Sequence, residues 1–111
     1  MTIRKLEKKE WKAYFDRISK ELNSQETEIE ALSLALGDQV ETKWLALLGI
    51  TYDRKDDIVE VVLEGLDHMI NKPREIYVDQ EGPGISRLEV IDADGVRQIV
   101  KLRDELLLPV R

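Results

Sequence analysis

The stretch Trp11-Lys12-Ala13-Tyr14-Phe15-Asp16-Arg17-Ile18-Ser19-Lys20-Glu21-Leu22 decides the class of fold, because helical periodicity is clearest here. Trp11, Tyr14, Phe15, Ile18 and Leu22 recur three and four positions apart, which puts them on one stripe. Lys8, Lys9, Lys12, Asp16, Arg17, Lys20 and Glu21 fill the other side. The spacing predicts a helix from Glu7 to Asn23. Glu10 follows Glu7 at capping-box spacing, Leu6 and Trp11 can close a hydrophobic staple, and Asn23-Ser24 accepts turn geometry. The aromatic residues could be read as a platform for stacking bases, but their register with Ile18 and Leu22 favours core packing.

Outward from this helix the period falls to about two. A strand is predicted from Glu28 to Leu36, with Leu32, Leu34 and Leu36 on one face, followed by a turn at Gly37-Asp38-Gln39. Val40 to Leu48 begins by alternating and then loses the pattern at Trp44-Leu45-Ala46-Leu47-Leu48. Ile50 to Tyr52 and Ile58 to Leu63 form a hairpin around the polar loop 53–57, and the two apolar faces of Ile58–Leu63 suit a central strand. Gly65 to Pro73 reads as irregular, and Pro73 forces Lys72 out of the right-handed helical region. Glu75 to Asp79 is a strand, Gly82-Pro83-Gly84 breaks the chain, and Arg87 to Asp92 pairs with Val96 to Leu102 around Ala93-Asp94-Gly95. The tail Leu106-Leu107-Leu108-Pro109 is apolar enough to dock on the body or on a partner. The expected architecture is α+β: an N-terminal amphipathic helix on a five- to six-stranded, mainly antiparallel and curved sheet, small-barrel-like in plan.

A chain of 111 residues suits one domain over 1–111, and it is long enough to bury a core without disulfides or a structural metal. There is no cysteine, which removes thiol chemistry and cysteine-based zinc sites. No apolar run is long enough for a leader's hydrophobic region or a membrane span, so a soluble cytoplasmic protein is the expectation. The net charge of −6 is unevenly placed, at +3 over residues 1–23 and −9 over the rest. That balance disfavours nucleic acid as a partner, since phosphate contacts need clustered Lys and Arg.

Several segments are distinctive when taken in order: Glu10-Trp11 with Tyr14-Phe15-Asp16-Arg17, then Leu48-Gly49-Ile50-Thr51-Tyr52-Asp53 and Glu64-Gly65-Leu66-Asp67-His68-Met69-Ile70. Pro73-Arg74-Glu75-Ile76-Tyr77-Val78-Asp79 and Asp94-Gly95-Val96-Arg97-Gln98-Ile99-Val100 complete the series. Together they resemble a bacterial family of roughly hundred-residue proteins of unknown function. The resemblance implies a bacterial, cytoplasmic, single-domain protein and carries over no activity, cofactor or catalytic residue.

Four residues are candidates for a site. Asp67-His68 pairs a carboxylate with the sole imidazole, a group that titrates near neutrality and serves acid–base or metal chemistry. Against this, neighbours in a strand face opposite ways and no nucleophile motif stands nearby, so turn and packing roles are the simpler reading. Arg74 and Tyr77 could line an anion pocket, or make ordinary cross-strand pairs. Asp53, Asp56 and Asp57 lack the glycine and closing glutamate of a calcium loop, and Asp92 and Asp94 are typical turn residues. No cofactor or metal is expected.

A patch of Trp44, Leu45, Leu47 and Leu48 is the candidate interface, able to anchor a partner or to fill the core. The function expected is a non-catalytic interaction or self-associating module, with a protein partner or a second copy and no membrane. The alternatives are an enzyme or small-ligand binder around Asp67-His68, and weak nucleic-acid binding through the basic helix, whose lysines are interrupted by Glu7, Glu10, Asp16 and Glu21.

Overall fold

Residues 40–48, ambiguous as sequence, belong to one seventeen-residue strand. The protein is seen in a computed structural model that describes residues 2–22, 26–33 and 37–108, without the side chains of 31–33 and 37–43. The elements are β1 (Thr2–Leu6), a single 3-10 turn (Lys8–Glu10), α1 (Trp11–Glu21), β2 (Glu26–Ser33), β3 (Gly37–Asp53) and β4 (Ile58–Leu63). β5 (Leu66–Asn71), β6 (Pro73–Glu81), β7 (Gly84–Asp92) and β8 (Arg97–Leu107) follow. All strand pairs are antiparallel, in the order β1-β6-β7-β8-β2-β3-β4-β5, and the sheet is not closed. The expected five- to six-stranded α+β fold is therefore corrected to an eight-stranded antiparallel sheet with one short helix.

The strands that periodicity missed are the two ends of the sheet. β1 buries only Leu6, and β5 buries only Ile70. An end strand is held by backbone bonds to a single neighbour, so it need not alternate apolar and polar residues. Residues 65–73 thus hold a strand rather than an irregular stretch. Lys72 is outside the right-handed helical region as expected, and Pro73 is the first residue of β6, where a missing N–H costs no ladder bond. The turn expected at Gly37-Asp38-Gln39 is also corrected. These residues open β3 and pair with Ser33, Leu32 and Ala31. Leu34 and Leu36 lie outside the described residues.

The alternation fails at 44–48 because β3 is bulged. Thr27 pairs with Leu45 but Ile29 with Thr42 and Glu30 with Val40, so β3 twice carries one residue more than β2. Trp44 lies at the first irregularity with φ +50, in the left-handed region that bulky residues rarely enter. On the other side Leu47 pairs with Leu63 and Gly49 with Val62, which leaves Leu48 unpaired. Each bulge reverses the inward–outward assignment and bends the strand. The first part of β3 runs beside β2 and the second part beside β4, so one strand serves both halves of the sheet.

Where β2 ends, the edge of β3 would be bare, and α1 covers it. Ser19 Oγ accepts the Ile50 N–H at 3.0 Å and donates to the Ile50 carbonyl at 2.7 Å. One hydroxyl therefore satisfies both groups that a further strand would have bonded. Trp11, Phe15 and Ile18 from the same helix are 0–1% exposed and enter the core. Complete burial contributes roughly 1.5–3 kcal/mol for each such side chain. α1 starts at Trp11 rather than at Glu7, and the expected Glu7–Glu10 box is present but closes the 3-10 turn, with the Glu7 N–H donating to the Glu10 carboxylate at 3.0 Å. That bond, aided by Arg4, holds the Glu10 carboxyl below its usual range against the opposing effect of burial.

The core lies between the two halves. In one, Leu6, Ile76, Val90 and Gln98 form a row that passes on to Ala31 of β2, and Val78, Leu88, Val100 and Ile29 form the next. In the other, Ile50, Val61 and His68 align, as do Tyr52, Val59 and Ile70. Leu106 and Leu108 also join the core cluster, so the apolar tail docks on its own body, fastened by the Leu108 N–H to the Pro83 carbonyl at 2.8 Å. Pro109 lies outside the described residues. No helix among the described residues is long and apolar enough to cross a membrane.

The edge-covering role of Ser19 predicts that Ser19→Ala, which leaves the Ile50 groups without their partner, lowers stability by about 1–3 kcal/mol in urea denaturation. Lys20→Ala, at the exposed next position, should change it by less than about 0.5 kcal/mol.

Candidate functional site

The sequence candidates do not converge. Asp67 and His68 are neighbours on β5, so their side chains leave opposite faces: Asp67 is exposed, while His68 faces the opposing half of the sheet. His68 Nε2 meets Gln98 Oε1 at 2.5 Å, and Gln98 Nε2 donates to Asp92 Oδ2 at 3.2 Å. The other Asp92 oxygen accepts the N–H groups of Asp94 and Val96, which shapes the β7–β8 turn with Gly95 at φ +79. His68 thus ends one core row and Gln98 lies within another, and their bond laces the two halves together. The arrangement accounts for the histidine, the glutamine and the aspartate as a polar seam.

Tyr77 and Arg74 also separate. Tyr77 lies on the outer face of β6, where its hydroxyl donates to Glu75 at 2.9 Å and Glu75 pairs with Lys5 at 3.0 Å. Lys5 first, and Tyr77 after it, draw the Glu75 carboxyl below its usual range, while the bond to Glu75 raises the Tyr77 phenol. This is part of a lattice of charges across the sheet. Glu89 meets Arg87 and Arg97, Lys101 meets Glu30 and Glu28, and Arg103 meets Glu26. A face that neutralises itself in this way offers no field for a polyanion. On the helix side Arg4 pairs with Glu10, Lys9 with Glu7 and Lys12 with Asp16, so the basic helix is largely matched as well.

The candidate interface divides along β3. Leu47 is buried in the core and Leu45 packs against it. Only Trp44 and Leu48 of the four remain exposed, at 37% and 56%, and the Arg103 guanidinium lies 5.5 Å from the Trp44 ring. Large apolar side chains are also exposed elsewhere among the described residues: Ile3 on β1 at 56%, Leu107 on β8 at 63%, and two together on β5, Leu66 at 42% and Met69 at 49%.

Arg74 belongs to a different grouping, which the sequence did not reveal. It stands at a bulge of β6, exposed, beside Lys72 and Pro73. Lys8, Lys72 and Arg74 line one open recess with Asp57, Pro73 and Ala93. Lys8, Lys9 and Arg54 line a second recess with Tyr52 and Asp57. Lys8 and Asp57 are common to both, so the two recesses form one groove across the end of the molecule. Its walls are tied together by the backbone, with the Lys72 N–H donating to the Asp57 carbonyl at 2.9 Å. Both residues are left-handed, at φ +54 for Asp57 and φ +51 for Lys72. Asp tolerates this region, but Lys does so at a cost of about 1–2 kcal/mol, and it also precedes a proline. Arg54 in the polar hairpin loop and the Lys72-Pro73-Arg74 triplet were visible signals. Nothing in their spacing showed that they meet Lys8.

The acidic loops are spent on turn geometry. Asp53 Oδ1 accepts the N–H groups of Lys55 and Asp56, and Asp57 accepts the Tyr52 hydroxyl at 2.8 Å. Among the described residues no three or more His, Asp or Glu gather as a metal would require.

Fold and surface together define a small open-sheet β protein with a polar seam, a neutralised outer face and a basic groove. Residues 2–111 match the model of a Family of unknown function (DUF5335), and the chain belongs to that family. A protein of Aquifex aeolicus (strain VF5), described as "Uncharacterized protein", is 40% identical over 110 residues, covering 98% of this chain and 99% of that relative. No solved structure matches.

Tyr52 carries a pH prediction. Burial first, and the Asp57 carboxylate second, push its phenol from 10.0 up to about 12. Because folding raises the value, the stabilising contribution is whole below the unfolded value near pH 10 and is lost as pH rises through about 12. Urea midpoints of the wild type should fall over that window more steeply than those of Tyr52→Phe, and parallel curves would refute the assignment.

Proposed function

We propose that this protein is a small non-catalytic interaction module that associates with a second copy of itself along β5. The supporting observation is the character of that strand. β5 is bonded to β4 on one side and is the last strand in the sheet order, so its other edge has no strand partner among the described residues. Natural edges are commonly blunted by lysine, proline or a bulge. The opposite end of the sheet exposes Ile3 as well, but there β1 sets Arg4 and Lys5 beside it. Leu66-Asp67-His68-Met69-Ile70-Asn71 has no lysine or proline and pairs with β4 without a bulge. It exposes Leu66 and Met69 beside its unpaired backbone groups. Two such edges can pair antiparallel about a two-fold axis and bury both side chains.

The support has moved from where composition placed it. The excess positive charge near the N-terminus is mostly consumed in ion pairs within the chain, and Leu47 is core. A bacterial cytoplasmic setting, with no membrane or cofactor involved, completes the proposal.

Sedimentation at high-micromolar protein should give a dimer whose dissociation is insensitive to salt, because backbone pairing and apolar contact drive it. Leu66→Lys with Met69→Lys should give a monomer of unchanged melting behaviour below the dimerisation range. A wild-type monomer at every concentration, or a dimer that survives the double substitution, would remove β5 as the interface.

A further inference from the structure

We infer that the groove joining Lys8, Arg54, Lys72 and Arg74 binds a compact phosphate-type anion, either free or carried on a small organic body. The four cations come from three separate places, the turn before α1, the β3–β4 loop and the β5–β6 junction. None of the four is in an ion pair among the described residues; Lys20 and Lys55 also lack one, but those two line neither recess, whereas Lys5, Arg87, Arg97, Lys101 and Arg103 on the outer sheet face each have an acid. In a chain of net charge −6, the lining of these two recesses has one carboxylate, Asp57, against Lys8, Lys9, Arg54, Lys72 and Arg74. All four are exposed, so their repulsion is screened by water, but the positive potential they share draws an anion toward the recesses.

The shape fits the charge. The two recesses have volumes of about 420 and 590 Å³ and share Lys8 and Asp57, the size of site that holds a small ligand. Arg74 supplies a planar fork suited to two phosphate oxygens at once, and the lysines supply compact charge. Tyr52, Pro73 and Ala93 give the groove an apolar wall, room for a small body attached to the anion. Its one carboxylate, Asp57, already accepts the Tyr52 hydroxyl at 2.8 Å.

The same surroundings argue against a long polyanion. Asp53 and Asp56 stand on either side of Arg54 in the β3–β4 loop, and Asp92 and Asp94 flank Ala93. A nucleic-acid strand leaving the groove would run onto these acidic turns and be repelled, whereas a compact ion stays within the basic zone.

Isothermal titration calorimetry at low salt tests this, with pyrophosphate, a nucleoside diphosphate and a single-stranded oligonucleotide as separate probes. Pyrophosphate should bind at one site per chain and weaken at least about tenfold in Lys72→Gln with Arg74→Gln, a pair of exposed positions. Lys12→Gln with Lys20→Gln, on the helix and outside the groove, should leave it unchanged. Tighter binding of the nucleoside diphosphate would support the site and show that the apolar wall holds an organic body, and equal binding would support a site for the free anion. No heat with ~10 mM pyrophosphate, equal losses in both double variants, or tighter binding of the oligonucleotide would overturn the inference. Because β5 substitutions leave the groove cations in place, the outcome is separable from self-association.

Discussion

The fold depends on β3 serving two neighbours in turn. A strand that pairs with β2 over its first part and β4 over its second must leave one edge bare where β2 stops. Bare backbone groups in a partly buried place are costly, about 1–3 kcal/mol for each unsatisfied group. The helix is where it is because Ser19 answers both groups of Ile50 and because Trp11, Phe15 and Ile18 fill the space above. The bulges near Trp44 and at Leu48 turn the strand between its two partners and make the halves of the sheet face each other across one core.

Polar residues then join or finish what the core brings together. His68 and Gln98 belong to rows of largely buried side chains in opposing halves, and their hydrogen bond closes the seam at that point. Asp92 extends the bond into the β7–β8 turn. The lone histidine, the most conspicuous residue for chemistry in the sequence, therefore has a complete structural role. The outer face is organised differently, by cross-strand ion pairs worth about 0–1 kcal/mol each at exposed positions. These contribute less to stability than to leaving the surface without a strong field. Against that background the groove cations and the β5 edge, which has no strand partner among the described residues, are the features on which the proposed anion site and the proposed self-association rest.

What could be read in advance follows from where each element gets its stability. The helix and β4 draw theirs from burial, so their apolar residues recur at a definite period. The 53–57 and 93–95 turns draw theirs from local side-chain bonds by Asp53 and Asp92, which are also legible. β1 and β5 draw theirs from backbone pairing at the ends of the sheet, so Thr2–Leu6 and Leu66–Asn71 gave no periodic signal. β3 was hidden because its bulges change the side-chain assignment within one strand. Of the groove residues, Arg54 in its polar loop and the Lys72-Pro73-Arg74 triplet were visible as local signals, but their meeting with Lys8 was not, since these three segments are far apart along the chain.

By itself the sequence determined an amphipathic helix with an aromatic inner face, several antiparallel hairpins, an acidic balance without thiol chemistry, and a likeness to a bacterial family. Each of these is a property of neighbours in the chain or of the chain's sum, and local physics suffices to read it. The tertiary structure alone decided that eight strands form one open sheet, that Ser19 caps the β3 edge, that His68 bonds Gln98, and that four cations meet in a groove. Those outcomes depend on strand order and register, which are set by the sum of long-range pairings and leave no trace in the spacing of residues.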